Sequence, residues 1–272
     1  MSAFMQIIRA AAVLAAVIYF ACLTGLYLDQ RHLIFHPYPS YTAPTQQNAG
    51  AGMREFPITT DDGLALKGWY RPAAPGKLTI VFFHGNADGL QSIAFVARPY
   101  VAQGYGFLIP EYRGYSTMPG TPTEDGLYRD GRAYLRALRA QGIAADRIVI
   151  FGHSLGSGVA TQMATEFPVR GLALIAPFLS VGSVAQLRYP IFPADFLTTE
   201  RFDNFRKIGQ IHCPILIGHG LQDTVVPEPQ GQALFDLAPA PKTLRLFPND
   251  GHGNAFADFA AVALPWLAQL NK

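Results

Sequence analysis

The chain has 272 residues, of which half are apolar and only 15% carry charge. That composition excludes a disordered chain, which needs low hydrophobicity and high net charge. A net charge of +2 with no basic run argues against a nucleic-acid partner, and two cysteines, Cys22 and Cys213, provide no disulfide framework.

The first element is an apolar stretch. Residues Ala10 to Leu28 carry no charge, and as a helix they would be ~28 Å long, close to the hydrocarbon thickness of a bilayer. A cleaved signal peptide and a buried soluble helix are the rival readings. The stretch exceeds the usual ~7–15 residues of a signal's apolar region. It ends in Leu26, Tyr27 and Leu28 without a small-x-small cleavage site. A single-span anchor over residues 1–30 is therefore expected, with membrane lipid as its partner. Arg9 lies before the stretch, and Asp29 and Arg31 after it. This slight bias favours a cytoplasmic N-terminus and a main domain outside the cytoplasm. Residues 31–54 then read as a connector. Their Pro-, Ala- and Gly-rich part, 37–53, suggests an extended path away from the membrane.

From residue 55 to 272 the pattern is one domain of strands alternating with helices. Glu55–Thr59 and Leu64–Tyr70 flank Asp61-Asp62-Gly63, a hairpin signal. Leu78–Phe83 is continuously apolar, as a strand covered on both faces should be. Ser92–Gln103 is expected as helix, Phe107–Pro110 as strand, Thr123–Gln141 as helix and Arg147–Phe151 as strand. A helix follows to about Glu166. Leu172–Ala176, Ile215–Gly218 and Thr243–Phe247 are further strands, and Ala255–Leu270 is a closing amphipathic helix. Such alternation predicts an α/β fold with a mostly parallel central sheet and helices on both faces. Residues 177–212 interrupt it as a short insert.

Gly152-His153-Ser154-Leu155-Gly156 fits G-x-S-x-G between a predicted strand and a predicted helix. In that context the turn is sharp, needs glycine on both sides, and lifts the Ser154 hydroxyl out at the C-terminal edge of the sheet. A serine needs a base. Among seven histidines, His252 is favoured, because its loop after the last strand lies at the same edge. His84, His153 and His219 read as structural, and His32 and His36 as an unsuitable metal pair. The base needs an orienting carboxylate. Asp223, in the loop after Ile215–Gly218, is preferred to Asp250 and Asp195. Nothing in the sequence implies a metal or a cofactor.

The order Ser154, Asp223, His252 resembles that of the α/β-hydrolases, as do His84-Gly85-Asn86-Ala87 and Tyr112-Arg113-Gly114-Tyr115. The apolar N-terminus followed by Arg31-His32-Leu33-Ile34-Phe35-His36-Pro37 looks like the membrane-anchored subgroup, whose relatives are described as serine-aminopeptidase-like or lysophospholipase-like. The resemblance implies a serine hydrolase of acyl esters or thioesters. A peptidase and a catalytically silent binding protein are the alternatives. It also implies an oxyanion hole made by the backbone N–H groups of Asn86 and Leu155. Glu111 and Ser116 depart from the usual residues of the loop after the fourth strand. The insert 177–212 is expected to act as a lid, with Phe178, Phe192 and Phe196 binding the acyl chain.

Overall fold

In a computed structural model, which describes residues 3–44 and 52–271, the chain opens with one long helix, α1 (Ala3–Ile34). It runs beyond the expected boundary at residue 30 because nothing after Leu28 breaks a helix: Arg31 and His32 in its last turn complement the negative end of the helix dipole. None of its residues is buried.

The strands that follow are β1 (Arg54–Thr59), β2 (Ala65–Arg71), β3 (Thr79–Phe83), β4 (Gly106–Ile109), β5 (Ile148–His153), β6 (Gly171–Ile175), β7 (Ile215–Gly220) and β8 (Lys242–Phe247). They form one sheet in the order β1-β2-β4-β3-β5-β6-β7-β8. The hairpin strand β2 is antiparallel to both of its neighbours, and the six strands from β4 to β8 run parallel. The chain is an α/β-hydrolase fold. Strands β3, β5, β6 and β7 are buried along their whole length, as their near-continuous apolar sequences require.

The helices are α2 (Leu90–Ile93), α3 (Arg98–Ala102), α4 (Glu124–Ala140), α5 (Leu155–Glu166), α6 (Val181–Arg188), α7 (Ala194–Leu197), α8 (Asn204–Lys207), α9 (Pro229–Leu237) and α10 (Phe256–Leu270). The helix expected over Ser92–Gln103 is split into α2, a 3₁₀ turn and α3. Pro99 near the start of α3 has no N–H to continue the earlier ladder. Helix α4 starts where Thr123 caps it by accepting a hydrogen bond from the Gly126 N–H at 3.0 Å. Helix α9 is not evident from the sequence pattern.

Residues 35–44 do not lead away from the domain. Phe35 is only 4% exposed and sits in the core beside Phe202. The Tyr38 carbonyl accepts from the Ser116 N–H at 2.8 Å, and the Ser40 carbonyl from Gln91 Nε2 at 2.8 Å. The expected extended connector is thus, over this part, a strap laid on the loops after β3 and β4. A buried aromatic and satisfied carbonyls hold it there. The rest of the expected connector, 45–51, lies outside the described residues.

Candidate active site

Strand β5 ends in His153 and helix α5 begins at Leu155, so Ser154 alone makes the turn. Its backbone has φ 50° and ψ −120°, a strained conformation for a residue with a side chain. Neighbouring glycines permit it. A Cβ on Gly156 would stand 2.1 Å from the Phe83 carbonyl oxygen, and one on Gly152 2.5 Å from that of Gly156. No other residue fits at such separations. The Ser154 N–H donates to the Ile175 carbonyl at 3.0 Å, which ties the turn to β6.

Three loops at the C-terminal edge of the sheet bring Ser154, His252 and Asp223 together. His252 Nε2 lies 2.9 Å from Ser154 Oγ, and His252 Nδ1 lies 2.7 Å from Asp223 Oδ2. Asp223 Oδ1 accepts from the N–H groups of Val225 and Val226 at 2.9 and 2.8 Å. Burial alone would raise the Asp223 carboxyl. The His219 and His252 imidazoles beside it and the Val226 N–H outweigh burial and hold the group well below the usual carboxylate range. An ionised Asp223 accepts the Nδ1 proton of His252. The Nε2 lone pair is then left facing the Ser154 hydroxyl.

The two other candidate acids lie elsewhere. Asp195 pairs with Arg201 in the insert. Asp250 is buried and its carboxyl is pushed up by burial and by nearby Asp258.

The backbone N–H groups of Asn86 and Leu155 have no acceptor within the protein, among the described residues. Leu155 is the first residue of α5, where the ladder leaves N–H groups unsatisfied. Both N–H groups are therefore left to meet an acceptor from outside the chain. Below Asn86, His84 donates from Nδ1 to the Gly85 carbonyl and from Nε2 to Glu111 Oε1, both at 2.8 Å and both fully buried. Burial pulls the His84 pKa down, and the Glu111 charge and hydrogen bond more than offset this, so the net shift is upward. Glu111 also accepts from the N–H groups of Leu90 and Tyr112. The departure at this position thus acts as a brace between the ends of β3 and β4.

Two residues near the site, His153 and His219, were read from the sequence only as structural. His153 Nε2 donates to the His252 carbonyl at 3.0 Å, which places the loop carrying His252. His219 Nε2 donates to the Val226 carbonyl at 2.8 Å and lies 3.4 Å from Asp223 Oδ2. Their only sequence signal is adjacency: one precedes Ser154, the other lies four residues before Asp223.

The three aromatics of the insert 177–212 expected to bind the acyl chain lie in different surroundings. Phe178 is 3% exposed and joins the apolar cluster that includes Leu155. Phe192, however, stacks on Tyr19 of α1 at 5.0 Å, and Phe196 is 86% exposed. Pro190 and Pro193 end the helical pattern after α6 and turn this hairpin outward along α1. Further contacts hold it there: Tyr19 Oη donates to the Ile191 carbonyl, Gln30 accepts from Thr199, and Arg31 pairs with buried Glu200 at 2.8 Å. Two surface cavities of about 510 and 490 Å³ lie away from Ser154, one beside Tyr41 and Lys67, the other beside Glu166 and Cys213.

Residues 80–262 match the model of the α/β-hydrolase family. An uncharacterised protein of Mycobacterium tuberculosis is 33% identical over 235 residues, covering 85% of this chain and 83% of its own length. The uncharacterised protein YfhR of Escherichia coli K12 is 28% identical over 211 residues, 74% of each chain. Among solved structures, a Pyrococcus furiosus esterase superposes with a TM-score of 0.72 at 18% identity, covering 88% of this chain and 98% of its own. An acetyl xylan esterase from Paenibacillus superposes with a TM-score of 0.67 at 17% identity and 93% coverage of both. At these identities the two structures share the fold.

Proposed function

We propose a serine hydrolase of acyl esters or thioesters for this chain, which belongs to the α/β-hydrolase family. One observation carries the reading: the unbroken contact from Asp223 through His252 to Ser154, at the edge where strained residue Ser154 presents its hydroxyl. In this mechanism Ser154 Oγ attacks the acyl carbon while His252 Nε2 takes its proton. Asp223 holds the imidazole in the required tautomer and stabilises its charged form. The growing negative charge on the carbonyl oxygen meets the fixed N–H dipoles of Asn86 and Leu155. His252 then protonates the leaving alcohol or thiol. A water that gives its proton to His252 releases the acyl group and regenerates Ser154.

The structural neighbours are esterases, which favours esters over peptides. The test is a panel of p-nitrophenyl esters, acyl thioesters and aminoacyl amides on detergent-purified protein, with a fluorophosphonate probe for activated serine. The expected result is turnover of esters or thioesters and labelling at Ser154. Turnover of the amides alone would replace this reading by a peptidase, and absence of both turnover and labelling would indicate a silent binding protein.

The same reading makes α1 a membrane anchor, with the catalytic domain outside the cytoplasm. The anchor is supported by a helix long and apolar enough to cross a membrane with no buried residue and by the grip of the domain on its end through Arg31 and Phe35. The protein is expected to stay in the membrane pellet after alkaline carbonate. Removing residues 1–30 should release an active soluble domain, because the ion pair to Glu200 and the burial of Phe35 survive that cut. A soluble mature chain beginning near Thr24 would show a cleaved signal instead.

A further inference from the structure

We propose that His36, on the strap that follows the anchor helix, is a positioning residue that fixes the oxyanion loop through the side chain of Asn86. The proposal rests on the hydrolase reading above, in which the Asn86 N–H is a donor to the oxyanion.

The geometry is a two-point clamp. The His36 backbone N–H donates to Asn86 Oδ1 at 2.8 Å, and Asn86 Nδ2 lies 2.8 Å from His36 Nδ1. The backbone contact decides the rest. Within the Asn86 amide only the oxygen can accept from an N–H, so Oδ1 is the atom beside it, and Nδ2 is the atom beside the imidazole. Since Nδ2 is a donor only, His36 Nδ1 must be the acceptor. The Tyr115 hydroxyl donates to the same Oδ1 at 2.8 Å. Three hydrogen bonds thus hold one side chain whose own backbone N–H is left unpaired.

The strap itself is held independently of Asn86. Phe35 is buried next to His36, Tyr38 bonds Ser116, and Ser40 bonds Gln91. At Gly89, downstream of Asn86, a Cβ would lie 2.8 Å from Tyr38 Cγ, so the strap and this loop are in direct contact. A loop held so tightly cannot drift. Displacement of a reacting group by ~1 Å can cost ~10² in rate. The segment joining the anchor to the domain is therefore part of the catalytic apparatus rather than a tether.

The test uses full-length protein in detergent with p-nitrophenyl butyrate and a fluorophosphonate. His36→Ala loses one side-chain hydrogen bond while its backbone contact remains. It is expected to lower kcat and the labelling rate about tenfold, with KM and Tm unchanged, on the order expected for a single hydrogen bond. His36→Asn, whose Oδ1 stands at the same reach from the backbone as Nδ1, should restore the rate. Asn86→Ala should cost at least as much, and adding His36→Ala to it should cost nothing further, because the two act through one contact. His32→Ala, at an exposed residue bonded to Asp29, should match wild type. Full kcat in His36→Ala, or additive losses in the double variant, would overturn the clamp while leaving the hydrolase reading intact. A wild-type protein that neither turns over the ester nor is labelled at Ser154 would overturn both.

Discussion

Replacing Ser154 by alanine is expected to lower kcat by about 10⁶, and replacing His252 by alanine by a similar factor. A serine hydroxyl at neutral pH is almost wholly protonated and attacks an ester slowly. His252 Nε2, 2.9 Å from Oγ, removes the proton as the bond to carbon forms. Neither group is useful without the other, so the double variant should be no slower than either single one. What remains in each case is binding and the two backbone N–H groups, which in comparable sites leave ~10³–10⁴ over the uncatalysed rate. Ser154→Ala deletes one atom and leaves the backbone contacts to Ile175 and Ser157 in place, so Tm should barely move. The measurement is kcat on a chromogenic ester beside thermal unfolding of the same samples. Retention of full activity and of probe labelling by Ser154→Ala would remove the assignment of the nucleophile.

The elements that position this chemistry were legible where local sequence dictates local structure. An apolar run such as Leu78–Phe83, too short for a typical helix, fits a strand covered on both faces. Gly152 and Gly156 announce the turn around Ser154 because no Cβ fits there. The choice of acid was harder to read. Asp250 is the nearer of the two in sequence to His252, but contact between loops is set by the order of strands in the sheet. Adjacent β7 and β8 carry Asp223 and His252 at the same edge. The strap was misread for a physical reason as well. Its Pro- and Ala-rich composition suits an extended chain, and extended residues 35–44 are. Composition does not tell solvent from a groove, and only Phe35 hinted that this stretch is buried. Aromatics in an insert suggest a pocket in the same way, but the sequence does not say which neighbours they meet: Phe192 stacks on Tyr19 of α1 and Phe196 faces outward.

Asp223→Asn is expected to lower kcat by about 10⁴. The cause is the tautomer it forces on His252. Val225 and Val226 both present N–H groups to Oδ1 at 2.9 and 2.8 Å, and these need an acceptor. An asparagine at this position must turn its oxygen toward them, which leaves its NH₂ facing His252 Nδ1. That nitrogen must then accept, so the imidazole proton moves to Nε2, the atom that has to receive the proton of Ser154. The base is blocked although every heavy atom stays in place. In the wild type the Asp223 carboxyl is held well below the usual carboxylate range. Its folded-state pKa being depressed, it remains ionised as pH falls through that range, so protonation of Asp223 should not limit activity there. Asp250→Asn serves as the contrast. The backbone carbonyl of Asp250, not its carboxylate, takes the hydrogen bond from Gln222 at 2.9 Å, and among the described residues the ring nitrogens of His252 bond Asp223 and Ser154 instead. That variant should stay within a few-fold of wild type. Steady-state kcat of the two variants on one ester decides between them: a loss larger for Asp250→Asn than for Asp223→Asn would transfer the orienting role to Asp250.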